Sequence, residues 1–259
     1  MFRKTFFVLA AVLTVALLAS AANAATIGTV NPQLLSGTSP GAYDATGADK
    51  LVVMIGTESG FNNNQVTSVT MNFNSVQMNL AVENTDWNGT SDGGYAGIFY
   101  LDDPFQGSAD ITWSATTTGG TPNGALMTVI GLTNTLDGAV GDTGSALGDS
   151  TSLTTTTNDS LVLAAHNNAG NNNSAGTPTA DSPLIQIHNG FWGSQWSSFA
   201  SGQQQVASSG TALTPSFTSN ANGGNHHTVA AEFLAIPEPA SLALLGAALL
   251  GLLGIRRRR

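Results

Sequence analysis

Between residues 66 and 82 lie two runs of alternating residues, and that alternation constrains the fold more than any other feature. In VTSVTMNF (66–73), Val66, Ser68, Thr70 and Asn72 fall on one side of an extended chain, and Thr67, Val69, Met71 and Phe73 on the other. In VQMNLAV (76–82), Val76, Met78, Leu80 and Val82 share the inward side. A period of two belongs to a strand with one face against a core. Asn74-Ser75 between the runs reads as a hairpin turn. Residues 50–56 (KLVVMIG) form a β-branched apolar run, and 95–101, 109–115, 125–132, 161–166, 184–188 and 228–234 read as further strands. The connections are dense in Gly, Asn, Thr and Ser, as in 62–64 and 170–176, and helical periodicity is nearly absent. Many short strands at turn-like spacing predict an all-β antiparallel β-sandwich, jelly-roll-like in character. The chain has no cysteine, so neither disulfides nor thiol chemistry can support it.

Both ends differ from this body. Arg3 and Lys4 precede an apolar stretch over 5–20, and Ala22-Asn23-Ala24 is a small-x-small cleavage site. Residues 1–24 are expected to be a signal peptide, with cleavage read through Ala22 and Ala24. At the other end Pro237-Glu238-Pro239 precedes 16 uncharged residues, 240–255, and then Arg256, Arg257, Arg258 and Arg259. The prolines hold the chain extended, in a form a processing enzyme can grip. The Leu/Ala/Gly segment suits a transmembrane helix, short for a hydrocarbon core of ~30 Å. The arginines belong on the cytoplasmic side, which leaves residues 25–236 as an extracytoplasmic β-sandwich domain.

This three-part tail resembles the PEP-CTERM sorting signal of Gram-negative surface proteins, carried here by Pro237, Glu238, Pro239, the segment 240–255 and the terminal arginines. The resemblance implies recognition by an exosortase-type membrane enzyme, a transient inner-membrane anchor before processing, and export to the cell surface or extracellular matrix. It also implies association with exopolysaccharide in a biofilm matrix. It identifies an address and says little about the cargo. A looser resemblance covers roughly 50–163, where VTSVTMNFNSVQM, GIFYLDDPFQGSADITWS and ALMTVIGL are similar in order to a β-sandwich domain of secreted bacterial and phage structural proteins. That group is mostly non-catalytic, which implies a structural or binding module.

Charge narrows the partners. Residues 25–236 hold one basic residue, Lys50, against fifteen carboxylates, a net −14 with histidine neutral. Nucleic acid is excluded as a natural partner, because phosphate binding needs a basic surface. An acidic exported domain stays soluble by self-repulsion or binds divalent cations. Asp102-Asp103-Pro104 with Asp92 upstream could hold a structural Ca²⁺, although no Asp-x-Asp-x-Asp-Gly loop is present. Turn initiation with solvated carboxylates is the preferred reading. Asp137-Gly138, Asp142 and Asp149 read as a second acidic loop.

Four histidines, His166, His188, His226 and His227, show neither an HExxH nor a three-histidine spacing. Adjacent His226 and His227 point to opposite faces of a strand and so do not share a metal simply. A structural role is expected for each, with no metal and no cofactor. No Gly-x-Ser-x-Gly elbow occurs, and no catalytic residue is assigned. Trp192 and Trp196, in a Gly/Ser/Gln-rich stretch, and Trp87, in Asp-Trp-Asn-Gly, are the candidate sugar-stacking rings. The competing reading packs them in the core, as expected for Trp113. A non-catalytic surface or matrix protein is therefore the first expectation, a carbohydrate-binding module the second, and a secreted hydrolase the third.

Overall fold

The computed structural model describes residues 25–59, 64–87, 93–122, 124–169, 177–192, 197–219 and 225–237, without the side chains of residues 139 and 192. The chain divides into a unit of residues 26–235 and a second unit of 1–25 with 236–259. In the second, Ala25, Ile236 and Pro237 are described, and Ala25 N–H donates to Ile236 O at 3.3 Å. The expected signal peptide 1–24 and the expected helix 240–255 lie outside the described residues, among which no helix is long and apolar enough to cross a membrane.

The described residues are all-β, and every strand pairing is antiparallel. The strands of residues 28–133 are β1 (Gly28–Gly37), β2 (Gly41–Asp44), β3 (Lys50–Glu58), β4 (Val66–Phe73), β5 (Val76–Gln77), β6 (Asn79–Asn84), β7 (Gly94–Asp102), β8 (Ser108–Thr117) and β9 (Ala125–Thr133). Those of 135–235 are β10 (Thr135–Leu147), β11 (Leu153–Thr154), β12 (Ser160–Ala169), β13 (Thr179–Ala180), β14 (Ile185–Trp192), β15 (Ser197–Val206), β16 (Ala212–Leu213), β17 (Phe217–Thr218) and β18 (Asn225–Ala235). The first set builds a central sheet, β1-β9-β3-β7-β6, and a flanking sheet, β2-β8-β4-β5. The second set builds the other flanking sheet, β10-β18-β12-β15-β14, with the small ribbons β11-β16 and β13-β17.

The sandwich-like arrangement therefore has three sheets rather than two. On β3, Leu51, Val53 and Ile55 face Val69, Met71, Phe73 and Ile111 of the first flanking sheet. The alternate face meets β12 and β15 of the second, and β18 meets the neighbouring β7 and β6. All nine residues of β3 are buried, as are all ten of β12, because both faces of these strands are covered. Such strands read as continuous apolar runs, and KLVVMIG is one. Burying a Leu, Val or Ile stabilises by about 1.5–3 kcal/mol, so β3 is a principal anchor of the fold. Gly56 allows close approach of the layers. A Cβ there would lie 2.7 Å from Asn167 Oδ1 and 2.8 Å from Phe199 Cδ2. Asn167 bridges the same gap by donating from Nδ2 to Thr57 O at 2.9 Å.

The structure bears out the turn at Asn74-Ser75, both at positive φ (49° and 63°), joining β4 to β5. It corrects the strand expected over 76–82. The chain leaves the flanking sheet at Met78 and joins the central sheet as β6. Met78 is buried, but Val76 and Leu80 are 51% and 45% exposed, so the four residues do not share an inward face. Asp137 and Asp142 are not in a loop but on β10, an edge strand with two register shifts. Its small residues and glycines give it no alternation to read.

Candidate functional site

Antiparallel register assembles the most chemically distinctive cluster of the structure from three neighbouring strands. His166 on β12 lies opposite Thr228 on β18, and His226 lies two residues from Thr228 on the same face. Residues related in this way are diagonal neighbours within reach of long side chains. β10, on the far side of β18, ends at Leu147 opposite His227. The chain then turns at Gly148 (φ 142°), whose N–H donates to His226 O at 2.6 Å. Asp149 follows and meets both rings. Its Oδ1 makes a short contact with His226 Nδ1 and lies 3.7 Å from His166 Nε2. The His166 and His226 rings are edge to face at 5.5 Å, and Phe217 stacks on His166 at 5.4 Å. Phe217 N–H donates to Asp149 O at 2.9 Å, which ties the carboxylate-bearing loop to the stacking ring.

Hydrogen bonds fix the state of His166. Thr228 Oγ1 lies 2.6 Å from Gly148 O, a pure acceptor, and so donates its proton there. The same oxygen, 3.0 Å from His166 Nδ1, therefore accepts from Nδ1–H. Nε2 then carries a lone pair, is buried and has no hydrogen-bond partner. Burial, followed by the neighbouring charges of His226 and His227, lowers the His166 pKa to about 3, so the ring is neutral at pH 7. Asp149, His166 and His226 are the group among the described residues whose three ligand atoms lie within 4.8 Å of one another. His226 and His227 do face opposite ways. His227 turns toward the central sheet, where Nδ1 meets Asn84 Oδ1 at 2.6 Å. Burial first, then His226, lowers its pKa to about 3 as well.

The other candidate residues are dispersed. Asp102 pairs with Lys50, which is fully buried, and its Oδ2 accepts from Gly138 N–H at 2.9 Å. Asp103 sits in a left-handed turn (φ 46°), and Asp92 lies outside the described residues. Trp87 is half-buried. Trp192 ends β14 and its side chain is not described, while Trp196 is outside the described residues. Trp113 packs against the core between the central and first flanking sheets, and its Nε1–H donates to Gly37 O at 3.0 Å. Of the sorting residues, Pro237 is described and exposed, whereas Glu238, Pro239 and Arg256 to Arg259 are not described, nor are Ala22 and Ala24.

The sequence readings missed this cluster because they looked for ligand spacing. Asp149 and His226 are separated by 77 positions. One usable signal was present. His166 ends the expected strand 161–166 and His226 lies just before the expected strand 228–234, so pairing of these two strands, as β12 and β18, brings the imidazoles together.

Fold and site together define an all-β protein carrying a carboxylate–imidazole cluster at the end of a sheet. Residues 235–259 match the PEP-CTERM protein-sorting motif, and the chain thus carries a PEP-CTERM sorting signal. That motif implies exosortase-dependent sorting of an exported protein, with processing at the membrane. No curated protein matches the sequence.

Proposed function

We propose that this is a non-catalytic protein of the bacterial cell surface or extracellular matrix, whose β domain is delivered by its tail and associates with exopolysaccharide. The observation that carries the reading is the sorting motif over residues 235–259. Residues 1–24 act as a cleaved signal peptide, and 25–236 as the extracytoplasmic domain. The segment 240–255 serves as a transient inner-membrane anchor, with Arg256 to Arg259 on the cytoplasmic side. Pro237-Glu238-Pro239 is the element that the exosortase-type enzyme reads.

Two observations favour a non-catalytic role. Among the described residues, Thr228 and Thr128 bear the hydroxyls within hydrogen-bond distance of a histidine ring nitrogen, and both are fully buried. Glu232, one of two buried carboxylates with Glu58, is surrounded by donors from its own chain rather than facing an acidic partner across a cleft.

The test is mass analysis of the protein recovered from cells with and without a functional exosortase. The expected mature chain begins at Ala25 and lacks Arg256 to Arg259 in the first case only. A surface-located chain still ending in Arg259 in both would sink the proposal. Polysaccharide binding by that mature protein, read by tryptophan fluorescence, tests the exopolysaccharide association. Saturable binding lost on replacing Trp87, Trp192 and Trp196 would place the contact on those rings.

A further inference from the structure

We propose that Asp149, His166 and His226 bind one divalent transition-metal ion of the zinc class, through Asp149 Oδ1, His166 Nε2 and His226 Nδ1. The three atoms already lie within 4.8 Å of one another. With metal–ligand bonds of about 2.0–2.2 Å, tetrahedral ligands sit about 3.4 Å apart. The His166–Asp149 separation of 3.7 Å is close to that value. Asp149 is 49% exposed and His226 stands at the rim, so these two side chains can turn the remaining distance without disturbing the core.

A second observation points to the ion independently of the grouping. His166 is fully buried, and its Nε2 has no hydrogen-bond partner while it faces a carboxylate oxygen. The chain His166 Nδ1–H to Thr228 Oγ1 to Gly148 O leaves Nε2 as a lone pair. Two electron-rich atoms held face to face, one of them sealed from water, are stabilised by a cation between them. The same chain is what a metal-ligating histidine ordinarily has, with its distal N–H held by an acceptor that fixes ring and tautomer. No lysine or arginine fills the role, because Lys50, the one such residue of 25–236, is taken by Asp102.

The donor set selects the ion. Two imidazoles and one carboxylate suit Zn²⁺ and its neighbours, whereas Ca²⁺ and Mg²⁺ take oxygen ligands. Water reaches the Asp149 side and would complete the coordination. The ion would clamp β12, β18 and the loop after β10 together at one end of their sheet.

The experiment uses the full chain in detergent, purified without a polyhistidine tag and stripped with a chelator. Zn²⁺ is titrated by calorimetry and by thermal unfolding, and Co²⁺ supplies a visible absorption band from a nitrogen–oxygen site. The expected result is one Zn²⁺ per chain, a raised Tm and a Co²⁺ band. Affinity should fall on the order of 100-fold in Asp149→Asn and in His226→Gln. Ca²⁺ at the same concentrations should leave Tm unchanged. An apo Tm for Asp149→Asn within a few degrees of the apo wild type shows that a ligand, rather than the fold, was lost. Should that variant not fold, His226→Gln, altered at the rim, carries the test. Folded wild type that takes up no Zn²⁺, a variant that binds as tightly as wild type, or Ca²⁺ acting as well as Zn²⁺ would each overturn the assignment.

Discussion

Glu232 is the buried group whose removal the structure prices most clearly. It lies on β18, has no exposed surface, and faces away from the central sheet into the segment after β11. Thr156 N–H donates to both carboxylate oxygens at 2.9 Å, Thr156 Oγ1 to Oε2 at 2.8 Å, Thr157 N–H to Oε1 at 3.2 Å and Asp142 N–H to Oε2 at 3.1 Å. Glu232→Gln keeps the shape and turns one acceptor into a donor. With the amide nitrogen at the Oε1 position, Thr157 N–H loses its partner. At the Oε2 position Asp142 N–H loses its own, while the Thr156 hydroxyl can turn round and accept. Either orientation strands one part-buried backbone donor, at about 1–3 kcal/mol, and weakens two or three charge-assisted bonds by about 1 kcal/mol each. Relief from holding a charge out of water offsets part of this, and the net expectation is about 3 kcal/mol. Denaturant unfolding, followed by tryptophan fluorescence, should show a lower midpoint at unchanged slope. The matching fall in Tm is about 6–12 °C for a domain of this size. A loss below about 1 kcal/mol would refute the idea that these donors anchor the segment. Gly141→Ala reports on the same contact, since its Cβ would lie 2.0 Å from Glu232 Oε2. The two substitutions should therefore be non-additive.

Other perturbations probe packing between the sheets and buried charge elsewhere in the domain. Gly56→Ala places a methyl under 3.0 Å from Asn167 and Phe199 and should cost about 1–3 kcal/mol by overpacking. Gly190→Ala meets nothing nearer than 3.4 Å and should be close to neutral, and urea midpoints distinguish the two. Asp102→Asn leaves the Lys50 ammonium buried without its counter-charge and should cost about 3 kcal/mol or more, against a smaller loss for Lys50→Met, which removes the buried charge itself. All three tyrosines have raised pKa values. Burial leads in each case, and Tyr43 is pushed up to about 12. A group raised in the folded state contributes full stability below its unfolded pKa, so the tyrosine contribution should be constant below about pH 10 and be lost as pH rises from there toward 12. Absorbance near 295 nm should then report tyrosine ionisation together with unfolding, and smooth titration near pH 10 in the folded protein would contradict the burial.

Strands buried on both faces or cleanly on one were legible, because composition or alternation marks them. KLVVMIG became β3 and VTSVTMNF became β4 with the predicted turn after it. Even in β4 the alternation is not perfect. A register shift between Val66 and Ser68 buries Val66 together with Val69, Met71 and Phe73. What the pattern hid were edge and polar strands. β1 contains Pro32 and a register shift between Val30 and Gln33, so its sequence reads as punctuation. β15 is rich in Ser and Gln, yet its Phe199 and Ser201 are buried against the central sheet. The third sheet was illegible for a related reason. A continuous apolar run says that both faces of a strand are covered, but not whether helices or further sheets cover them.

The cluster at the sheet end shows where local reading stops. That His226 and His227 point apart follows from strand geometry, and the structure agrees. That expectation set His226 only against His227. The partner of His226 is His166, brought to it by the β12–β18 register, and Asp149 arrives because β10 ends beside them at a glycine turn. Chemistry then depends on a still finer level, the direction of one hydroxyl proton. If Thr228 did not give its proton to Gly148 O, it could donate to His166 Nδ1 instead. Nε2 would then carry the ring proton and pair with Asp149 directly, with no room for an ion. A threonine, a backbone carbonyl and the pairing of two strands thus decide whether a histidine and an aspartate form a plain hydrogen bond or a metal site.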